Sequence, residues 1–152
     1  MSDYVSVNGQ KLLQRAVDCA SRAGAPQVEP VHIFRALVSP RPGLNVAKAV
    51  LQRLDVDTEA LWDWTFELTQ NRFRQGGNND STLDWSPDCN AVMQFAYEEA
   101  AAFGGRYVGG EHMLLGILHL DAEPCAMKLK DCGVSLEAVR TILQQIANPQ
   151  EE

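Results

Sequence analysis

Glu111 and His112 stand side by side in the stretch YVGGEHMLLGIL, and their side-chain types could serve acid–base or metal chemistry. Adjacent residues of a helix point about 100° apart, so the two side chains would not converge on one substrate atom. Zinc sites favour H-E-x-x-H or clusters of Cys and His at ligand spacing, whereas His112 and His119 are seven residues apart. The pattern therefore predicts no catalytic residue and no metal site at this pair.

The alternative hypothesis is a small helical enzyme or metal-binding protein built around the Glu111-His112 region, with His32 and Cys125 as further candidates. No G-x-x-x-x-G-K-[ST] loop occurs in the sequence, so the backbone cradle and lysine that nucleotide hydrolysis needs are missing. We therefore expect no cofactor.

Composition and charge exclude several classes of protein. The chain is long enough, at 152 residues, for one domain with its own hydrophobic core, and it is 45% hydrophobic and 22% charged, which is typical of a soluble globular protein. The net charge of -7 argues against nucleic-acid binding, because surfaces that follow phosphates need clustered Lys and Arg. Neither a signal peptide nor a membrane-spanning apolar stretch is evident, so we expect a cytoplasmic protein that does not bind membranes. The four cysteines show no C-x-x-C pairing and are expected to be buried or half-buried free thiols.

An internal repeat is visible when the chain is shifted by 80 positions, which superimposes Ala16–Val38 on Ala96–Leu118. Five positions are identical in the two segments: Ala16/Ala96, Ala20/Ala100, Gly24/Gly104, Val28/Val108 and His32/His112. A shift of 78 aligns Leu51–Leu61 with Leu129–Val139, and the change of shift falls in a loop, where insertions are tolerated. The chain is therefore predicted to contain two tandem repeats.

The repeats are expected to pack as a single double domain over residues 1–152. The matching patterns place repeat one at about 4–73 and repeat two at about 85–147. The segment between them, about 74–84, is rich in Gly, Asn and Asp, has little to bury, and is predicted to be a linker.

Helical spacing of apolar residues runs through both repeats, and alternating patterns of the β type are absent. The sequence therefore predicts an all-α fold of two tandem pseudo-symmetric four-helix repeats, with about eight helices, packed as one domain. Gly24 and Gly104 are predicted to end the first helix of each repeat, since a left-handed conformation costs glycine nothing. The predicted N-caps, whose oxygens can accept from the free N–H groups of a first turn, are Ser6, Asp57, Ser86 and Ser135.

The stretch YVGGEHMLLGIL, followed at the right distance by LKDCGVSLEAV, resembles the N-terminal domain of Clp ATPases of the ClpA/ClpC type. The resemblance covers about residues 4–147 and is more specific in the second half. It implies a non-catalytic module, not an enzyme, that docks protein substrates, degrons or adaptors. Because the chain ends at Glu152 without an ATPase module, we expect a free-standing copy acting as adaptor, decoy or accessory factor in Clp-type protein quality control. A Clp ATPase or protease is then among its candidate partners.

Two partner-binding surfaces follow from the resemblance. In the ClpC branch of the family, the glutamate of a G-T-E-H motif helps to hold phosphorylated arginine; Glu111 matches this glutamate, while Gly110 replaces the threonine. Clp N-domains also bind ligands in a partly apolar groove where the first helices of the two repeats begin, and Trp85 matches the aromatic residue of that groove. Asn90 stands where the family often has lysine, and Val5 is the counterpart of Trp85 in the first repeat.

Each of these motifs also has a purely structural interpretation. His32 and His112 recur at equivalent positions, and each is expected to bond a nearby backbone carbonyl and fix the loop before its helix. Glu111 could serve only to interact with the positive end of the helix dipole, and Trp85 only to pack over the junction between the repeats. The aromatic residues of LWDWTF are expected in the core of the fourth helix; they are Trp62, Trp64 and Phe66.

Overall fold

Eight helices make up the part of the chain that a computed structural model describes, residues 5–40, 45–72 and 83–147. In chain order the helices are α1 (Val7–Arg22), α2 (Pro30–Val38), α3 (Val46–Arg53), α4 (Thr58–Arg72), α5 (Pro87–Ala102), α6 (Gly110–His119), α7 (Pro124–Asp131) and α8 (Leu136–Ala147). Pairing of the β type in these ranges is limited to two isolated bridges. The prediction of an all-α fold with about eight helices is confirmed.

The predicted N-caps start the first and fourth helix of each repeat. The hydroxyls of Ser6 and Ser86 accept from the backbone N–H three residues later, at 3.0 and 3.1 Å. Asp57 and Ser135 accept in the same way from N–H groups of the first turns of α4 and α8. Each cap satisfies donors that have no partner inside the helix, so the two repeats begin these helices by the same local chemistry.

Glycines in the left-handed conformation end α1 and α5, as the sequence predicts. Gly24 and Gly104 have φ angles of 74° and 76°. In both turns the N–H after the glycine donates back to a carbonyl of the last helical turn, that of Ala20 at 3.0 Å and that of Ala100 at 2.9 Å. The chain is thereby turned towards the loops that precede α2 and α6.

The extended segment before each repeat's first helix pairs with a loop of the other repeat. Val5 forms a parallel bridge with Val108, and Val28 forms one with Trp85. The N–H after Val5 donates to the Val108 carbonyl at 2.9 Å, and the N–H after Trp85 donates to the Val28 carbonyl at 3.0 Å. The two repeats are thus joined by crossed bridges, in which each repeat supplies one segment and one loop.

The packed structure of repeat two begins before its first helix. Leu83 is buried in the core, and the Asp84 carbonyl accepts from the Val28 N–H at 2.9 Å. Both residues lie at the end of the segment that the sequence assigns to the linker, whose remainder lies outside the described residues. The crossed bridges therefore need this part of the segment in a fixed position.

The second helix of each repeat lies at the centre of the domain. Every residue from His112 to Leu118 in α6 is buried, and α2 is buried except at Arg35. These two helices contact each other and most of the remaining helices. The hydrophobic core is therefore shared by both repeats, and no helix in the described ranges combines the length and apolar character that would let it cross a membrane.

None of the four cysteines, Cys19, Cys89, Cys125 and Cys132, forms a disulfide bond, but Cys132 is exposed, so the prediction of a buried or half-buried thiol is wrong for it. Cys89 and Cys125 are buried, and burial raises the pKa of the Cys89 thiol to about 12. Because the thiolate is the nucleophilic form, Cys89 is an inert core residue at neutral pH.

A close approach of α5 and α6 occurs at Gly116. A Cβ atom at this position would stand 2.3 Å from the Val92 carbonyl oxygen, far inside van der Waals contact. The equivalent position in the first repeat is Ala36, which is buried without such a conflict. The two repeats therefore share a topology but differ in how closely their first two helices approach.

We expect Gly116→Ala to lower the free energy of unfolding by about 2 kcal/mol, because the added methyl group forces α5 and α6 apart. In an unobstructed helix the same change would raise stability by up to about 1 kcal/mol through helix propensity, so the sign of the effect is diagnostic. Urea unfolding followed by circular dichroism measures it. A stabilised variant would show that the helices do not approach as described.

Candidate partner-binding site

Two buried histidines hold the loops that precede α2 and α6. His32 Nδ1 accepts from the Glu29 backbone N–H at 2.8 Å, and His112 Nδ1 accepts from the Gly109 backbone N–H at 3.0 Å. The sequence predicted a backbone carbonyl as the partner; in these bonds the imidazole is instead the acceptor. A ring nitrogen that accepts carries no proton, so both rings bear hydrogen on Nε2.

The pKa of His112 is held below its usual value, and the main cause is burial, which penalises the charged imidazolium. The carboxylates of Glu111 and Glu99 act in the opposite direction but are the smaller effects. His112 is therefore neutral at pH 7, as its role as acceptor requires. An acid–base role for the pair Glu111-His112 would need this hydrogen bond to break.

Glu111 lies in the first turn of α6 and is half-buried. Its carboxylate folds back over Gly109, with Oε1 2.5 Å from the place that a Cβ atom of residue 109 would take. Within the described residues no cationic side chain is within ion-pair distance of it. The equivalent residue of the first repeat, Val31, is fully buried, so the acidic group is specific to repeat two.

Gly110 is enclosed by the core and offers no exposed group to a partner. A Cβ atom here would stand 2.7 Å from Leu12 Cδ1 and 3.1 Å from Leu37 Cδ2. A side chain at this position would require the ends of two leucine side chains of the first repeat to shift, and the glycine itself presents none. The sequence placed Gly110 on a partner-contacting surface, and its burial removes it from that surface.

The three residues of the predicted groove differ in exposure. Val5 is only 3% exposed and is occupied by its bridge to Val108. Trp85 is half-buried and packs against the core, while Asn90 is exposed on the first turn of α5. Val5 therefore serves packing, and Trp85 and Asn90 present surface.

The crossed bridges divide the predicted site into two parts. Trp85 is fixed to Val28, in the loop before α2. Val5 is fixed to Val108, in the loop that leads to Gly110 and Glu111. Trp85 thus lies in one bridge, and Glu111 follows the loop that forms the other.

A buried ion-pair network was not foreseen from the sequence. Glu99 of α5 is buried and accepts from Arg140 Nε at 3.0 Å and also from Arg140 Nη2. His119 Nε2 lies 2.7 Å from the same carboxylate, and its ring stacks on Phe95 with centroids 4.3 Å apart. The bonds from Arg140 are the main cause that lowers the pKa of Glu99. A carboxylate on the apolar stripe of α5, one turn after Ala96, was the signal available in the sequence.

The aromatic residues of α4 are less buried than the sequence predicts. Trp62 and Trp64 are half-buried, and Phe66 is 51% exposed. Phe34 meets Trp64 edge to face, with ring centroids 6.3 Å apart. The prediction of a core position is therefore wrong for Phe66.

The described ranges contain no set of ligands for the metal site of the alternative hypothesis. Nowhere in residues 5–40, 45–72 and 83–147 do three His, Cys, Asp or Glu side chains come together as potential ligands.

Two pseudo-symmetric four-helix repeats, joined by crossed bridges, define a double helical-repeat domain. The sequence matches the family model of the Clp repeat (R) N-terminal domain over residues 5–132. The chain therefore belongs to the Clp N-terminal repeat domain family, and the resemblance found in its sequence is confirmed.

Relatives and solved structures agree with this assignment. ClpC/MecB of Bacillus subtilis, the negative regulator of genetic competence, is 30% identical over 142 residues, which cover 93% of this chain and 17% of the relative. The chaperone protein ClpB of Oceanobacillus iheyensis is 28% identical with the same coverage, so the chain spans 17% of the length of these relatives. The N-domain of ClpV from Vibrio cholerae has a TM-score of 0.75 at 12% identity, with 95% of this chain and 84% of that chain covered. The Hsp104 N-terminal domain from Candida albicans has a TM-score of 0.68 at 18% identity, with 90% and 87% covered.

We expect His112→Leu to lower the free energy of unfolding by about 1 to 3 kcal/mol, because the buried Gly109 N–H loses its acceptor. His112→Gln should lose less, since a glutamine at this helix position can accept through its side-chain oxygen. Urea unfolding at pH 8 compares the two variants. Equal losses would show that packing of the ring, rather than its hydrogen bond, matters.

The same histidine predicts a pH effect with a definite sign. The pKa of His112 is lower in the folded than in the unfolded protein. As pH falls below about 6.5, the unfolded chain therefore takes up a proton before the folded one does. The free energy of unfolding decreases from that pH down to the folded pKa. This loss should be smaller in His112→Gln, which cannot be protonated there. Unfolding curves from pH 8 to 5 measure the difference, and parallel profiles would contradict it.

We expect Arg140→Met to lower the free energy of unfolding by about 2 kcal/mol at pH 7, because it leaves the buried Glu99 carboxylate without its guanidinium. The pKa of Glu99 is lowered in the wild type, so this stabilisation is present above about pH 4.3 and is lost as pH falls through the folded value. The difference between the two proteins should shrink accordingly in acid. Lys130→Met, which breaks the exposed pair with Asp121, is the control and should have a smaller effect.

Proposed function

We propose that the chain is a non-catalytic protein-binding module that docks protein substrates, degrons or adaptors in Clp-type protein quality control. Clp N-domains are substrate- and adaptor-binding modules of Clp ATPases, and the chain belongs to that family. The observation that carries the proposal is that Trp85 and Glu111 present an aromatic and an acidic group at the junction of the repeats.

Trp85 supplies the apolar part of the proposed contact. It is half-buried, so a rigid indole is already held by the core and loses little conformational freedom when a partner covers it. Its backbone is fixed by the bridge to Val28, which restricts it further. Asn90, exposed on the first turn of α5, adds a polar group to the proposed surface.

Glu111 supplies the electrostatic part. Its carboxylate has no cation within ion-pair distance in the described residues, and the half-buried setting strengthens any pair that it forms. A guanidinium can bind such a carboxylate with two parallel hydrogen bonds. We propose an arginine or lysine of the partner here, with phosphorylated arginine as the more specific form of the same ligand.

The proposed role is that of an adaptor, a decoy or an accessory factor. An adaptor would bring a client to a Clp ATPase or protease, whereas a decoy would compete with a Clp N-domain for the same client. A module that recognises helical segments of its partners is a variant of the same function. A cytoplasmic location, without nucleic-acid or membrane partners, goes with each of these roles.

The test is quantitative capture of partners from the native cell with wild type, Trp85→Ala and Glu111→Gln. We expect both variants to recover specific partners at least about ten-fold less efficiently, because each removes one of the two anchors. Met127→Ala and Glu98→Gln change an exposed apolar and an exposed acidic residue elsewhere, and should bind as wild type.

A direct measurement then separates the ligands of Glu111. Calorimetric titration compares one peptide containing arginine with the same peptide containing phosphoarginine, against wild type and Glu111→Gln. If Trp85→Ala and Glu111→Gln recover the same proteins as wild type, the proposed surface is wrong whatever the peptides do.

A further inference from the structure

One outward face of α4 combines aromatic and acidic side chains. Its residues recur at spacings of three and four, which places them on one side of the helix. Phe66 is 51% exposed and Trp62 is half-buried, while the acidic members are all exposed. This surface, called the α4 face below, consists of Glu59, Trp62, Asp63, Phe66 and Glu67.

Arg35 of α2 holds the aromatic part of the α4 face in place. Its guanidinium carbon lies 4.0 Å from the centroid of the Trp62 ring and 5.7 Å from that of Phe66. Arg35 Nη1 also donates to Thr65 Oγ1 at 3.1 Å. The cation is thereby engaged with both rings, and Phe66 is kept at the surface by contacts made beneath it.

The carboxylates of the α4 face have no internal counter-ion in the described ranges. None of Glu59, Asp63 and Glu67 has a cationic group within ion-pair distance among the side chains that the structure describes, which in α4 end at Thr69. The face carries three carboxylates, and Arg35, whose guanidinium lies over the two rings, contributes one positive charge, so the surface is acidic around an apolar centre. An exposed aromatic side chain framed by unpaired charges of one sign is complementary to a segment of the opposite charge.

The second repeat provides an internal comparison. The residue equivalent to Trp62 is Arg140, which turns inward to Glu99, and the residue equivalent to Phe66 is Gln144. Asp63 and Glu67 correspond to Thr141 and Gln145, and of the acidic residues only Glu59 has an acidic counterpart, Glu137. The same four-helix packing is thus achieved without an aromatic and acidic face, and packing does not account for it.

We propose that the α4 face is a docking surface for a basic, apolar protein segment, one that places Lys or Arg beside a large aliphatic or aromatic side chain. The apolar side chain packs on Phe66 and Trp62, and the basic groups pair with the three carboxylates. Nucleic acids carry the wrong charge, and a second copy of this chain would bring carboxylates against carboxylates. The surface is distinct from the one marked by Trp85 and Glu111.

The test starts from a displayed library of random peptides of about 16 residues, selected on the immobilised wild-type protein. Enriched peptides are synthesised and their binding is measured by fluorescence anisotropy. The two test variants are Phe66→Gln, which introduces the residue of the second repeat, and the triple change Glu59→Gln, Asp63→Asn and Glu67→Gln. The matched control neutralises three exposed carboxylates elsewhere with Asp18→Asn, Glu98→Gln and Glu137→Gln.

We expect a class of enriched peptides that are basic and carry an apolar side chain, and that bind both α4 variants at least about ten-fold more weakly. These peptides should bind the control triple within about two-fold of wild type, and Trp85→Ala should not affect them. Thermal melting followed by circular dichroism checks that each variant is folded.

The proposal is overturned if no such class is enriched, or if its peptides bind the two α4 variants as tightly as wild type. It is also overturned if the control triple weakens binding as much as the α4 triple, because the attraction would then be general to an acidic protein. Loss of binding in Trp85→Ala with no change in Phe66→Gln would assign the peptides to the other surface.

Discussion

The crossed bridges between the repeats are the constraint on which the rest of the structure depends. Each pre-helix segment is extended and has backbone groups that its own repeat does not satisfy; an unpaired buried group would cost about 1 to 3 kcal/mol. The loop of the other repeat supplies the partner, at Val108 for the first segment and at Val28 for the second. Because a histidine fixes the other side of each loop, the starts of α2 and α6 are held from two directions. The positions of Trp85 and Glu111 follow from this arrangement.

The sequence predicts those parts of the fold that are local. Serine caps and left-handed glycines form within one helical turn, so they can be recognised from neighbouring residues alone. The enclosure of Gly110 could not be predicted, since Leu12 and Leu37 reach it from the other repeat. The histidine bonds show a subtler limit: an imidazole can donate or accept, and only the tertiary position of its ring decides which. Glu99 and Arg140 are 41 residues apart, and no local pattern connects them.

The pseudo-symmetry of the chain separates what packing requires from what it does not. The paired histidines and glycines keep the same residue at positions with the same task, whereas the caps of α4 and α8 share a task with different residues, Asp57 and Ser135. Where the repeats differ at the surface, the difference has another cause: Glu111 replaces a fully buried valine, and Trp85 corresponds to the buried Val5. Phe66 and its acidic neighbours add a third difference, on α4 and outside the crossed bridges. The functional candidates are therefore concentrated at the positions where one repeat departs from the other.

The exchange of segments between the repeats also has a bearing on how such a domain can arise. In each bridge, the pre-helix segment of one four-helix unit pairs with a loop of the other unit. Two identical chains related by a two-fold axis would make the same pair of contacts. The domain thus has the geometry of a homodimer whose two subunits have been joined into one polypeptide. Once joined, the two halves no longer need to be identical. An interface that symmetry would have made the same on both sides can then carry an indole at one bridge and a carboxylate at the other.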